Sequence, residues 1–391
     1  MTLAPISSAP RVSPTSVRVM IVDDSAVVRG LITRILAEDS EISVVASVSN
    51  GQMALSTLER NEVDVVLLDI EMPVMDGMEA LPKLLKIDPD IRIIMQSTLT
   101  LKGADISMRA LEMGAADYIP KPTSTREIVG GMDFKTELLT KVRALGQARR
   151  RLPSRRARPP EGLAAAPAHH PVAGTAAHKP LTPAAHAPHT FTLRTHAPEP
   201  PDIIAIGSST GGPQALFTLL GTMKAGTVRQ PILITQHMPA TFTAILGEHI
   251  SRVSGWNARE AQDGETLEGG RVYIAPGDFH MIVEAKGASR ILRLTKTPPE
   301  NFCRPSVDPM LRSIAAIYGR KVLVCILTGM GADGLKGGTE VVNAGGTLIA
   351  QDEATSVVWG MPGAVAGAGI CSAVLPLPDL APWMMKLAAR R

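Results

Sequence analysis

The stretch IIAIGSSTGGPQALFTLLGTM, Ile203 to Met223, reads as a strand, a tight turn and a helix. Ile203–Ile206 is a short β-rich apolar run, and Pro213 opens a helical pattern expected to reach Met223. A strand feeding a helix in this way is the repeating unit of a parallel α/β sheet. Between them Gly207-Ser208-Ser209-Thr210-Gly211 matches Gly-x-Ser-x-Gly, a turn that presents one hydroxyl, Ser209, at the sheet edge beside helix N–H groups. The glycines allow the turn without a Cβ clash, and proline suits the first helical position. On this pattern alone a phosphate-binding helix N-terminus fits too. A P-loop does not, because no Gly-Lys-Ser/Thr follows.

The same grammar extends in both directions. Downstream, Ile232–Thr235, Val272–Ala275, Val322–Leu327, Thr347–Ala350 and Ile370–Leu375 read as further strands, with helices at Ala240–Val253 and Pro309–Tyr318. Upstream, Val17–Val22, Ile42–Val48, Val63–Leu68, Ile91–Gln96 and Ala116–Ile119 are five β-rich runs separated by helical stretches. The expected fold is α/β: two doubly wound parallel-sheet domains, the first in flavodoxin-like order and the second larger. Aromatics are only 3% of the chain, so the cores must be built from Val, Ile, Leu, Met and Ala, which suits buried parallel strands.

Between the two regions the composition changes. Arg149 to Pro200 holds ten prolines, twelve alanines, six of the nine histidines and eight Lys/Arg against two Glu. That stretch is charged +6 in a chain of net +3, so the rest is acidic and no basic folded face for DNA is expected. Such composition suits a solvated spacer. The expected domains are a disordered tail at 1–17, a first domain at 18–142, a disordered linker at 143–200 and a second domain at 201–391. Three scattered cysteines exclude a disulfide framework, and no signal peptide or spanning helix is read, so a cytoplasmic location is expected with no membrane insertion.

Ser209 needs a base. Of the three histidines outside the linker, His237 stands just after a strand, at the same carboxyl edge. The glycine-rich loop after Val322–Leu327 would bring Asp333 to that edge to orient the imidazole, and the Met330 N–H for an oxyanion. The order Ser, His, Asp differs from that of an α/β-hydrolase. In the first domain Asp23, Asp24 and Asp69 end strands, a grouping that suits Mg²⁺, while Ser97 and Lys121 end two others. That set fits in-line attack of Asp69 on a phosphoryl group.

The segments VDDS (Val22–Ser25), LDIEMPVMDG (Leu68–Gly77) and Lys121-Pro122 resemble a response-regulator receiver domain. The resemblance implies phosphorylation of Asp69 by a sensor histidine kinase, and a Mg²⁺ site of Asp23, Asp24, Asp69 and the Glu71 carbonyl. It implies switch roles for Ser97 and Tyr118. GSSTGG (Gly207–Gly212), QHMP (Gln236–Pro239), YIAPGD (Tyr273–Asp278), RPSVD (Arg304–Asp308), LTGMGADG (Leu327–Gly334) and DEATSVVWGMP (Asp352–Pro362) resemble the catalytic domain of CheB-type chemotaxis methylesterases. This implies hydrolysis of glutamyl methyl esters on chemoreceptors, with glutamine deamidation as a side activity and no cofactor for the ester step. Ser209 would be nucleophile, His237 base, Asp333 orienter, Met330 the oxyanion donor and Thr210 the nucleophile's neighbour. The unphosphorylated receiver is expected to cover the Ser209 rim. A DNA-binding output and a catalytically dead scaffold are the rival readings.

Overall fold

The computed structural model describes residues 16–97, 100–121, 132–151 and 191–389. The first domain alternates β1 (Val17–Val22), α1 (Ala26–Leu36), β2 (Ile42–Val48), α2 (Gly51–Arg60), β3 (Val65–Asp69), α3 (Gly77–Ile87), β4 (Arg92–Ser97), α4 (Leu101–Glu112) and β5 (Asp117–Pro120). A closing helix, α5 (Met132–Arg151), follows. The strands pair in parallel in the order β2-β1-β3-β4-β5, the flavodoxin-like order expected. Val19, Ile21, Leu67 and Ile94 are wholly buried, each worth roughly 1.5–3 kcal/mol relative to exposure. Ser25 caps α1 and Asp76 caps α3 through side-chain oxygens that accept backbone N–H groups, about 1 kcal/mol each.

The second domain runs β6 (Ile203–Ser208), α6 (Gly212–Met223), β7 (Ile232–Gln236), α7 (Ala240–Ser254), β8 (Asn257–Glu260) and β9 (Arg271–Ile274). A hairpin of β10 (His280–Lys286) and β11 (Ser289–Thr295) leads to α8 (Val307–Tyr318), β12 (Val322–Ile326) and α9 (Leu335–Asn343). β13 (Thr347–Gln351), α10 (Met361–Gly367), β14 (Ala373–Leu375) and α11 (Leu377–Ala388) complete it. Seven parallel strands lie in the order β14-β13-β12-β6-β7-β9-β8. The chain enters in the middle at β6, builds outward one way, then returns to β12 and builds the other way. The switch point therefore falls between β6 and β12, where open α/β sheets bind ligands. The Ser209 turn leaves one of these strands and the Gly329–Asp333 loop the other.

The linker expected at 143–200 is corrected at both ends. Helix α5 continues to Arg151, and Arg149, counted with the solvated basic run, is buried with its guanidinium 3.2 Å from Asp88. Residues 191–200 lie along the second domain: Arg194 N–H donates to the Cys371 carbonyl and Ala197 N–H to Thr347 Oγ1. Most of the expected spacer, 152–190, and nearly all of the tail lie outside the described residues. Among the described residues no helix is long and apolar enough to cross a membrane.

Candidate active site

The Ser209 turn is fixed from three sides. Ser209 N–H donates to Thr328 O at 3.1 Å, Gln236 Nε2 donates to Ser209 O at 2.9 Å, and Ser208 Oγ donates to Gln236 Oε1 at 2.7 Å. Gly211 adopts φ 75°, a left-handed conformation suited to glycine. Gly329 is needed for closeness instead: a Cβ there would stand 2.8 Å from the Ser209 Cβ. Backbone-to-backbone approach thus sets the serine against the neighbouring loop. Met330 N–H, in that loop, has no backbone acceptor among the described residues.

His237 Nε2 lies 2.7 Å from Asp333 Oδ2. The carboxylate is 1% exposed, yet heavily solvated by protein. Its Oδ2 accepts from Val307 N–H at 2.7 Å, and its Oδ1 from Ser306 Oγ at 2.8 Å, Asn301 Nδ2 at 2.8 Å and Asp308 N–H at 3.0 Å. Val307 and Asp308 open α8, so the helix N-terminus adds its dipole. Burial alone would push the Asp333 carboxyl up; the His237 contact, the Val307 N–H and the Ser306 hydroxyl outweigh it and hold it below the usual range. Burial would likewise lower the His237 imidazole, but Asp333 and Cys303 raise it to about 10. Linkage then gives the pair a stabilising effect that is full below the ordinary imidazole range and lost as pH rises through about 10.

The other ring nitrogen, Nδ1, faces Cys303 Sγ at 3.4 Å, and no hydrogen bond joins it to Ser209 Oγ. The two other expected alternatives for the base are engaged elsewhere. His280 is buried between the Pro298 carbonyl and the Ser306 N–H, and His249 is bound by receiver carboxylates. Asp308 is a second buried carboxylate beside Asp333. Burial leads the causes that raise it, with the Asp333 charge adding, against donation from Gly337, Asn301 and Gly334. Two adjacent carboxyls are thus pushed apart in pKa, and the one touching His237 keeps the charge.

On the first domain's rim, ligand atoms of Asp23, Asp24 and Asp69 lie within 4.8 Å of one another. Lys121 Nζ bridges Asp23 Oδ2 and Asp69 Oδ2, both at 2.8 Å. Burial raises the Asp69 carboxyl, Lys121 opposes, and the Glu71 backbone N–H also supports its charge. Three carboxylates with one cation fit an additional hard dication with oxygen ligands. Asp24 and Glu71 open onto a cleft of about 630 Å³. Ser97 is turned elsewhere, accepting from Ser107 Oγ of α4 at 2.8 Å, and Tyr118 is buried.

A CheB methylesterase family model matches residues 204–384, and a response regulator receiver domain model matches 19–132. A protein-glutamate methylesterase/protein-glutamine glutaminase of Paramagnetospirillum magneticum is 73% identical over 98% of this chain and 99% of its own. One of the same description from Azospirillum brasilense is 62% identical over 96% of this chain and 93% of its own. The chain belongs to the protein-glutamate methylesterase/protein-glutamine glutaminase family. The crystallised CheB methylesterase catalytic domain of Thermotoga maritima is 41% identical, covering 48% of this chain and 98% of its own, with a TM-score of 0.47.

In this methylesterase-family chain the receiver lies against the elements that carry the second rim. Helix α4 packs on α6 and α7. Tyr118 stacks on Phe242 with centroids 4.2 Å apart and planes 8° from parallel. His249 of α7 meets Asp105 Oδ1 at 3.0 Å and Glu112 Oε1 at 2.8 Å, and Arg252 reaches Glu112 at 2.8 Å. Gln214 Nε2 donates to the Ala115 carbonyl. Burial raises the Asp117 carboxyl, while Lys141, the Tyr118 N–H and the Thr210 hydroxyl oppose it, so the residue after Ser209 faces the receiver. Met330 and Val357 pack onto the receiver's apolar cluster.

Sequence reasoning missed Gln236, Asn301, Cys303, Ser306 and Asp308 as members of the site. Four of them lay inside or beside quoted motifs, QHMP and RPSVD, and a polar residue at a strand end or helix start was the available signal. Asn301 had none.

Proposed function

We propose that the chain hydrolyses glutamyl methyl esters of chemoreceptors, releasing methanol, and deamidates receptor glutamines at the same site, under control of receiver phosphorylation. The observation that carries this reading is the 2.7 Å contact of His237 and Asp333 at the switch point, beside the Ser209 turn. With Nε2 committed to Asp333, Nδ1 takes the Ser209 proton as Oγ attacks the ester carbonyl. The tetrahedral oxyanion is met by the Met330 N–H, with Thr210 bracing the turn. The imidazolium returns its proton to the methoxy oxygen, methanol leaves, and water activated by the same ring hydrolyses the acyl-serine. A glutamine amide follows the same course with ammonia as leaving group.

The resting arrangement suits restraint: His237 Nδ1 is turned to Cys303 with no hydrogen bond to Ser209, and Asp333 and Cys303 favour the charged imidazole, the form that cannot act as base. In the receiver, Asp69 accepts a phosphoryl group from a sensor histidine kinase. Asp23, Asp24, Asp69 and the Glu71 carbonyl would hold Mg²⁺, which neutralises charge on the transferring oxygens. Lys121 would release Asp69 and pair with the phosphoryl group instead, and Ser97 would leave Ser107 to reach it. The dianion draws Ser97 inward and lets Tyr118 move from Phe242, loosening the interface. The cytoplasm, where kinase and receptor tails meet, is the proposed location.

The test is methanol release from methylated receptor, with and without acetyl phosphate as phosphodonor. Wild type releases methanol faster with the phosphodonor, and Ser209→Ala lowers release about 10⁴-fold or more. Release that survives Ser209→Ala would remove the serine mechanism. A band shift of DNA by the wild type would favour the rival output.

A further inference from the structure

Residues Glu300–Arg304 form a tight turn at the catalytic rim. Glu300 N–H donates to Cys303 O at 3.1 Å and Cys303 N–H to Glu300 O at 2.9 Å. Both inner residues are left-handed, Asn301 at φ 52° and Phe302 at φ 63°. Two positive φ angles are the demand of a type I′ turn, usually met by Asn and Gly. Asparagine suits its place; a phenylalanine in the left-handed region is an outlier. Strain of this kind persists where the surroundings enforce it, and it concentrates at functional sites.

The surroundings do enforce it, from the base of the turn only. Asn301 Nδ2 reaches Asp333 Oδ1 at 2.8 Å and Asp308 Oδ2 at 2.9 Å. Cys303 Sγ faces His237 Nδ1, and Arg312 holds Glu300 at 3.0 Å. Phe302 gains nothing from the fold, since its relative exposure is 103%. An unfavourable backbone therefore carries a large apolar ring outward, between two residues that touch the His237–Asp333 pair.

We propose that Phe302 is a substrate anchor: its ring docks on an apolar side chain of the substrate polypeptide next to the modified glutamyl residue, and so fixes which glutamyl side chains reach Ser209. The anchor rests on the esterase reading above and deepens it. Continuity with the site commits it to this occupant. The ring's two chain neighbours contact the imidazole and its carboxylate, so a polypeptide brought to that pair meets the turn that carries the ring. The charges around the turn are already paired, Glu300 with Arg312 and Arg304 with Asp278 at 3.1 Å, so the ring offers the unspent binding surface. Aromatic side chains dominate the energetics of such contacts. The ring is exposed with the receiver in place, so its contribution to binding should not depend on phosphorylation.

Full-length Phe302→Ala and Phe302→Leu are compared with wild type for methanol release from methylated receptor membranes, with and without acetyl phosphate. Phe302→Ala raises KM about tenfold with kcat nearly unchanged. The ratio is the same in both conditions, and Phe302→Leu restores most of the affinity. A wild-type KM in Phe302→Ala overturns the proposal, as does a defect confined to kcat or one that leucine does not relieve. So does a change from dimer to monomer in sizing with KM unaltered, which would assign the ring to a second copy of the chain. Silence of the wild type would remove the esterase reading first, and the anchor with it.

Discussion

The two rims of this molecule are built alike and behave oppositely. Each sits at the carboxyl ends of parallel strands, and each gathers carboxylates that would repel one another without help. In the receiver the help is a lysine and an adjoining polar cleft: Asp24 is exposed and lines the cleft, while Asp69, itself buried, is held by Lys121. In the catalytic domain Asp333 is sealed among five protein donors and an imidazole, and the proposed nucleophile, Ser209, has no hydrogen bond to that imidazole. The receiver rim leaves one of its three carboxylates, Asp24, open to solvent. The catalytic rim pairs its imidazole with a buried carboxylate, and the receiver packs on the helices beside it.

Removing the input should have the largest effect on that comparison. Asp69→Asn is expected to abolish the rise in methanol release on adding acetyl phosphate, measured as the ratio of rates with and without it. A ratio equal to that of wild type would place the phosphoacceptor elsewhere. Loosening the cover comes next. Phe242→Ala removes a stack worth about 0.5–1.5 kcal/mol, so basal release should rise about two- to tenfold without phosphodonor. His249→Ala, which frees Asp105 and leaves Glu112 to Arg252 alone, should act in the same direction, and neither should add much to the phosphorylated rate. Unchanged basal rates in both would mean that this interface does not restrain the site.

The smallest effect concerns Cys303. Its sulfur supports the charged form of His237, and the base works only when uncharged. Cys303→Ala should therefore lower the imidazole pKa and move the acid limb of kcat/KM toward lower pH by about one unit. Measured on phosphorylated protein, the variant should be faster at neutral pH. A limb that stays in place would mean that Cys303 leaves His237 before the chemistry begins.

Much of this was legible because parallel strands bury both faces and so appear as continuous β-branched runs. Val17–Val22 and Ile42–Val48 have the expected limits, and the remaining expected strands shift by a residue or two, apart from β14, which begins three residues late. The last three helices were not read. Leu335–Asn343 contains Gly337 and Gly338, Met361–Gly367 is mostly small, and Leu377–Ala388 carries Pro378 and Pro382. Propensity disfavours all three, and packing decides them: a Cβ on Gly337 would meet the Asp308 carbonyl at 2.7 Å. The β10–β11 hairpin has polar outer positions that dilute its apolar signal. Ser209, His237 and Asp333 could be assigned to one rim from sequence because each follows a strand. Asn301 was invisible because the carboxylate it meets, Asp333, lies far along the sequence, and Arg149 was misread because its neighbours have the composition of a spacer while it meets a buried aspartate.

Helix α7 begins three residues after His237 and carries both Phe242 and His249. The receiver grips this rod, together with α6 and the Met330 and Val357 side chains, and leaves the imidazole and its aspartate untouched. Ancestral lineages could therefore rewrite the grip by ordinary surface drift, pairing each new aromatic or acid with a matching change opposite, while the hydrolytic chemistry stayed frozen. Duplicated copies sharing one cell would come to answer separate signals by this route, each wired to its own input chiefly through helix side chains set apart from the imidazole and its aspartate.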